Sequence, residues 1–204
     1  MQILLTSAGW ENNLKIKEEF LRLTNKKYSD TIIFFINVAE IDSEDWKYAE
    51  KYIEELTKIG FNRKNIKILD FNREIETSFL KDIDIIYVCG GNTFQYLYKI
   101  RKIGADKQIK ELVNREVPYF GISAGSILAG PSIDIAQICN GDENEYGIQD
   151  LSGLKLTDIS VHPHYQEEDE NELKEFEKNN NRKIIRLKDN QALLINNINI
   201  NIIS

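Results

Sequence analysis

"YFGISAGSIL", residues 119–128, reads as an apolar strand that breaks at one serine and resumes as a helical run. Within it, Gly121-Ile122-Ser123-Ala124-Gly125 fits the G-x-S-x-G pattern, with a strand before it and a helix after it, the context that gives the pattern meaning. A sharp strand-to-helix turn forces its central residue into a strained backbone conformation and holds the hydroxyl clear of the sheet. Flanking glycines are expected because a Cβ at either site would collide with the neighbouring chain. The turn also leaves the Ala124 N–H at a helix N-terminus, aimed at any oxyanion formed on a carbonyl attacked by Ser123. An ordinary βα turn fits the same five residues, since short Gly/Ser patterns recur by chance.

Outward from this turn, short apolar runs rich in Ile, Val and Phe recur at residues 2–7, 31–38, 65–69, 84–90 and 117–123. Most are apolar at successive positions, as strands covered on both faces are. Helical patterns lie between them. Residues 12–24 carry Leu14, Ile16, Phe20, Leu21 and Leu23, and residues 43–59 place Trp46, Ala49, Tyr52, Ile53, Leu56 and Ile59 at spacings of three and four. Ser43 is a good residue to cap the second helix, and Gly60 to close it. Strand alternating with helix predicts a mostly parallel sheet flanked by helices, an α/β fold. After Pro131 the pattern changes to turns and short strands, followed by a helix at 172–180. The tail reads as two or three antiparallel strands with turns near Lys188–Asn190 and Asn196–Asn197. With no linker or internal repeat in view, the expectation is one domain spanning residues 1–204.

Composition narrows the function. The chain has 204 residues, 42% hydrophobic and 29% charged, and a net charge of −7; its mean hydropathy is −0.40. That acidity argues against nucleic acid and anionic membranes as partners, because phosphate binding needs a concentrated basic surface. Only two cysteines, Cys89 and Cys139, argue against a disulfide framework and for a reducing compartment. The N-terminal MQILLTSAGWENN reads as a first strand rather than a signal peptide, and no stretch reaches the ~20 apolar residues of a membrane span. A cytoplasmic protein is expected.

A serine at its free pKa needs a base. The two histidines both lie in Val161-His162-Pro163-His164-Tyr165, so a serine hydrolase must use one of them. The alternatives are a locally hydrogen-bonded pair, or a metal site completed by Glu167, Glu168 or Asp169. No cysteine or further histidine supports a metal, and none is expected. Cys89-Gly90-Gly91-Asn92-Thr93 closes another strand at the sheet edge where α/β proteins place ligands. Its amides could supply a second oxyanion donor; it lacks the Gly-Lys-Ser/Thr ending of a phosphate loop. Cys89 reads as a small core residue.

GGNT, G-x-S-A-G, P-H-Tyr and L-x-D-N-Q-A, in that order over nearly the whole chain, resemble the aspartyl dipeptidase (peptidase E-like) family of serine peptidases. Its wider clan includes cyanophycinase. The resemblance implies a fold like class I glutamine amidotransferase domains. It implies Ser123 as nucleophile, His164 rather than His162 as base, and Asp189 as the third member, ahead of Asp134 and Asp142. It also implies Gly91 and Ala124 as oxyanion donors on a loop with Gly90, ordered by Asn92, and no cofactor. The order Ser…His…Asp differs from the Ser…Asp…His of α/β-hydrolases. A serine at position 123 argues against glutamine hydrolysis of the amidotransferase kind, which uses cysteine.

The implied activity is exopeptidase hydrolysis of short peptides through an acyl-enzyme, with a preference for N-terminal Asp. Such a preference needs a cation to meet the substrate carboxylate. The segment after the nucleophile has acids but no Lys or Arg. The alternative is a non-catalytic small-molecule or partner-binding protein on the same fold. A short peptide is the expected partner, with homodimerisation left open.

Overall fold

The computed structural model describes residues 1–39, 43–196 and 199–204, the Thr77 side chain excepted. Strands β1 (Gln2–Thr6), β2 (Ile33–Ile36), β3 (Ile66–Ile68), β4 (Ile85–Val88) and β5 (Tyr119–Ile122) come first, followed by β6 (Ser160–His162), β7 (Ile184–Arg186), β8 (Ala192–Asn196) and β9 (Ile200–Ile203). The helices are α1 (Leu14–Leu21), α2 (Trp46–Lys58), α3 (Thr93–Lys102), α4 (Ala105–Asn114), α5 (Ala124–Ala129) and α6 (Glu170–Asn180). Seven strands form one sheet in the order β3-β2-β4-β5-β1-β8-β9. β3, β2, β4, β5 and β1 run parallel, while β8 and β9 add antiparallel at the C-terminal side. This is the mostly parallel α/β sheet the sequence predicts.

Successive residues of a strand face opposite sides of the sheet, and both sides are packed. Phe34, Ile36, Ile86, Val88 and Tyr119 enter one core. Their neighbours Ile33, Phe35, Ile85, Tyr87 and Phe120 enter the other, where Trp10 and Phe20 pack against Tyr87 and Phe120 in tilted and edge-on contacts. Unbroken apolar runs therefore reflect two layers of cover. Among the described residues, no helix is long and apolar enough to cross a membrane.

The helices follow the apolar spacing, with local corrections. α1 buries Ile16 and Phe20, but Leu14 is exposed at its first turn, and Asn13 is the cap. α2 buries Ala49, Ile53 and Leu56. Ser43 does not cap it with its side chain; the cap residue is Asp45, and Ser43 gives only its carbonyl, to the Trp46 N–H at 3.0 Å. The close is as expected. Gly60 takes φ +106° while its N–H donates to Thr57 and the Phe61 N–H reaches back to Leu56, the paired bonds of a Schellman end.

The tail departs from the antiparallel expectation at one strand. β7 does not pair with β8; it pairs in parallel with β6 to form a separate two-stranded sheet. The reason lies in α6. Glu177 accepts from the Ile184 N–H at 2.8 Å and from Arg186 Nη1 at 2.6 Å, tying β7 to the helix before it. Arg186 holds the Glu177 carboxyl down at about 2, well below the ordinary range. The Lys188–Asn190 turn forms, closed by the Gln191 N–H on the Lys188 carbonyl. The turn expected at Asn196–Asn197 runs onto Asn197, which lies outside the described residues.

Candidate active site

The end of β5 carries the sharp turn. Ser123 adopts φ +48° and ψ −109°, a conformation a non-glycine residue holds only under strong external constraint. β1 supplies much of that constraint. Its register sets Thr6 opposite Ile122, and the Thr6 carbonyl accepts from the Ser123 N–H at 3.0 Å and from Ser126 Oγ at 2.8 Å. Tyr119 Oη donates to the Gly125 carbonyl at 2.6 Å. The glycines are steric necessities. A Cβ on Gly121 would lie 2.6 Å from the Gly125 carbonyl oxygen, and one on Gly125 would lie 2.5 Å from that of Val88.

His164 and Asp189 follow the strands of the small sheet. His164 leaves β6 after Pro163 and Asp189 follows β7. Between them the Leu187 N–H donates to the His162 carbonyl at 2.9 Å, and the Tyr165 N–H to that of Leu187 at 3.1 Å. This pairing brings the two side chains together at Ser123. His164 Nε2 lies 2.9 Å from Ser123 Oγ, and His164 Nδ1 lies 2.6 Å from Asp189 Oδ1. Asp134 and Asp142, the other acids weighed from sequence, are committed elsewhere: Asp134 to Arg182 and the Ile135 N–H, Asp142 to the Thr93 N–H.

Ser7 is a site residue that the sequence alone does not reveal. It sits buried one position past β1, accepts from the His164 N–H at 2.7 Å, and donates to Asp189 Oδ1 at 3.0 Å. It thus fixes the imidazole's backbone, itself at φ +58°, relative to the acid. The available signal was its place at the C-terminal end of a central parallel strand, the edge that carries ligands in α/β sheets. Finding it also required knowing that β1 lies next to β5.

β4 brings the third component. Its register sets Val88 opposite Gly121, so Gly90 and Gly91 emerge beside Ser123. Gly91 takes φ +146°, and a Cβ there would press on Val38 and Tyr96. Asn92 orders the loop by capping α3 through the Gln95 N–H and by donating to the Glu143 carbonyl. Ala124 opens α5, whose first amides have no carbonyl within the helix to bond. Cys89 is fully buried, and burial pushes its thiol pKa up, as suits a core residue.

Ser123 and His164 stand between two cavities. The larger, about 770 Å³, is bordered by Ser7, Asp45, Tyr48, Gly91 and Lys99. The smaller, about 460 Å³, is bordered by Thr93, Cys139, Asp142, His162 and Asp169. His162 faces this second cavity and not the serine. Burial holds its pKa below the ordinary imidazole range, against the pull of Asp169. Cys139 is pushed up to about 12 by burial and by the carboxylates of Asp169 and Glu172.

The chain matches the model of peptidase family S51 over residues 3–203. It is 34% identical to peptidase E of Salmonella arizonae over 80% of its own length and 68% of that protein. It is 32% identical to the uncharacterized peptidase Lmo0363 of Listeria monocytogenes over 65% of each chain, so it aligns with slightly under two thirds of that relative's length. Its fold matches the 1.5 Å crystal structure of a candidate peptidase E protein from Listeria monocytogenes EGD-e. That match has a TM-score of 0.79 and 25% identity, over 100% of this chain and 98% of the other. The sheet, the turn at Ser123 and these matches lead to one conclusion: the chain belongs to peptidase family S51.

Proposed function

We propose that the protein is a serine peptidase that cleaves short peptides in dipeptidase fashion through an acyl-enzyme on Ser123. The observation that carries this reading is the continuous chain Ser123 Oγ–His164–Asp189, with bonds of 2.9 and 2.6 Å, set on a strained turn between two cavities. His164 Nε2 takes the serine proton as Oγ attacks the scissile carbonyl. Asp189 holds the imidazole in the tautomer that leaves Nε2 free to accept, and stabilises the imidazolium that forms. The N–H groups of Gly91 and Ala124 meet the tetrahedral oxyanion. His164 then returns the proton to the leaving amine, and water releases the acyl group.

The two cavities suit a peptide laid across Ser123 with one residue on each side, and their volumes are in the range of small-ligand sites. For the N-terminal Asp preference, a lysine of α3 supports the reading in place of the cation absent from the segment after Ser123. Among the described residues lining the two cavities, Lys99 is the one Lys or Arg. Its Nζ donates to the Val38 carbonyl at 2.9 Å, and in this reading it is the group that meets the substrate carboxylate.

The test is mass-spectrometric detection of cleavage over dipeptides and tripeptides with Asp, Glu, neutral and basic N-termini, with Ser123→Ala alongside. Cleavage of the Asp-X members, reduced at least about 10⁴-fold in the variant, is expected. Equal cleavage by both proteins would remove Ser123 from the chemistry. Absence of cleavage across the panel would favour a binding protein on the same fold.

A further inference from the structure

The smaller cavity carries a set of side chains that the serine chemistry leaves unused. Cys139 Sγ, a ring nitrogen of His162 and an Asp169 carboxylate oxygen all lie within 4.8 Å of one another. His162 Nε2 is 3.4 Å from Asp169 Oδ2. That separation is close to the edge of a tetrahedron around zinc, given ligand bonds of about 2.0–2.3 Å. Thiolate, imidazole and carboxylate together are the donor set of a borderline-soft divalent cation, not of magnesium or calcium.

Three separate segments supply the ligands. Cys139 sits on a tight loop in which it and Asn140 take φ +55° and +56°, and the Asp142 N–H closes on the Ala136 carbonyl at 2.6 Å. His162 ends β6, with its ring buried. Asp169 precedes α6 and is oriented by the Gln166 N–H at 2.8 Å. A second carboxylate stands close by, since Glu172 Oε1 accepts from the Cys139 N–H at 3.1 Å. The same cavity is bordered by Ser123 and His164.

We propose that Cys139, His162 and Asp169 form a zinc site with its fourth position open to this cavity, and that zinc bound there inhibits the enzyme. Binding breaks the Cys139 S–H bond, forms S–Zn and releases the proton to solvent, with no change of oxidation state. One thiolate and one carboxylate neutralise the cation, while His162 binds as the neutral imidazole. The ion then occupies the half of the cleft into which one side of the scissile peptide must pass. The inhibition, though not the binding, rests on the serine peptidase reading above.

The test separates the two. Full-length protein is titrated with Co²⁺ while the thiolate-to-metal absorption is followed, and Zn²⁺ affinity is measured by competition with a chromophoric chelator. Wild type is expected to bind one metal per chain with the thiolate band; Cys89, fully buried, is placed too deep to supply it. Cys139→Ser is expected to lose the band and at least about 100-fold in Zn²⁺ affinity, the upper end of what even an outer-shell change costs. Asp169→Asn removes a ligand independently, and thermal melts establish that each variant folds. A wild type without the band, or unchanged Zn²⁺ affinity in both variants, overturns the site. Peptide cleavage by wild type should fall with Zn²⁺ and return with chelator. Each variant, judged against its own metal-free rate, should need at least about 100-fold more zinc. Zinc bound at the site with an unchanged rate overturns the inhibition. Absence of cleavage in metal-free wild type overturns the peptidase reading and the inhibition with it, while the cobalt spectrum decides the site independently.

Discussion

The two sheets contribute to the site by different physics. The large sheet positions Ser123 through the backbone: the strand ends of β1, β4 and β5 are buried, and Gly121 and Gly125 let α5 approach β5 and β4 within distances no Cβ tolerates. The small sheet positions His164 and Asp189 at its open edge, by backbone bonds between their segments and one side-chain bond between the two, and both side chains remain 52% exposed. Ser7 joins the two regimes, a buried hydroxyl of the large sheet that bonds to both groups of the small one. A nucleophile that must hold a strained conformation needs a rigid mount.

That contrast can be broken at each mount in turn. On the small sheet, Asp189→Asn keeps the shape but withdraws the charge and presents a donor to His164. Buried acids in this role are worth about 10⁴-fold in kcat, and this half-exposed one should be worth about 10³-fold, with the thermal melt unchanged. Steady-state kinetics on a cleaved dipeptide checks it; a rate within threefold of wild type would mean that another group orients the imidazole.

On the large sheet, Gly125→Ala should act on stability rather than on the chemistry. The new methyl would lie 2.5 Å from the Val88 oxygen and 3.0 Å from its carbonyl carbon. Overpacking of this kind costs about 3 kcal/mol, or about 10²-fold in the folding equilibrium. Urea denaturation reads this directly, and an unshifted midpoint would show that β4 and α5 can part without loss.

The smallest effect is expected at the join. Ser7→Ala removes one bond to Asp189 and the acceptor for the His164 N–H, worth about 1 kcal/mol or slightly more. A fall in kcat of about 10-fold with KM nearly constant is expected. A KM increase at constant kcat would instead place Ser7 in substrate binding.

Legibility from sequence follows the same division. The large sheet is readable because its strands announce themselves as apolar runs and its turn as G-x-S-x-G, both local patterns. α2 is readable from its spacing and from Gly60, but its N-terminal cap is not, because Ser43 and Asp45 compete for the same few residues. The small sheet is not readable in this way. β7 carries a strand pattern, but its pairing with β6 rather than β8 depends on Glu177 and Arg186, contacts made across a helix. The cluster of Cys139, His162 and Asp169 is hidden for a similar reason. A search for ligands near the histidines in sequence finds no cysteine, because Cys139 lies 23 positions before His162 and reaches it only through the fold.

By itself, the sequence determined the alternation of strands and helices, the strained serine and the shortage of histidines, since each follows from local sterics, periodicity or composition. The resemblance of its four motifs to a known family added His164 and Asp189 as partners. Tertiary structure alone decided that Ser7 bonds to both His164 and Asp189 and that β6 pairs with β7. It also decided that the second histidine meets a thiol and a carboxylate. Those facts depend on which strands become neighbours, and that is settled by packing over the whole chain rather than by any short stretch of it.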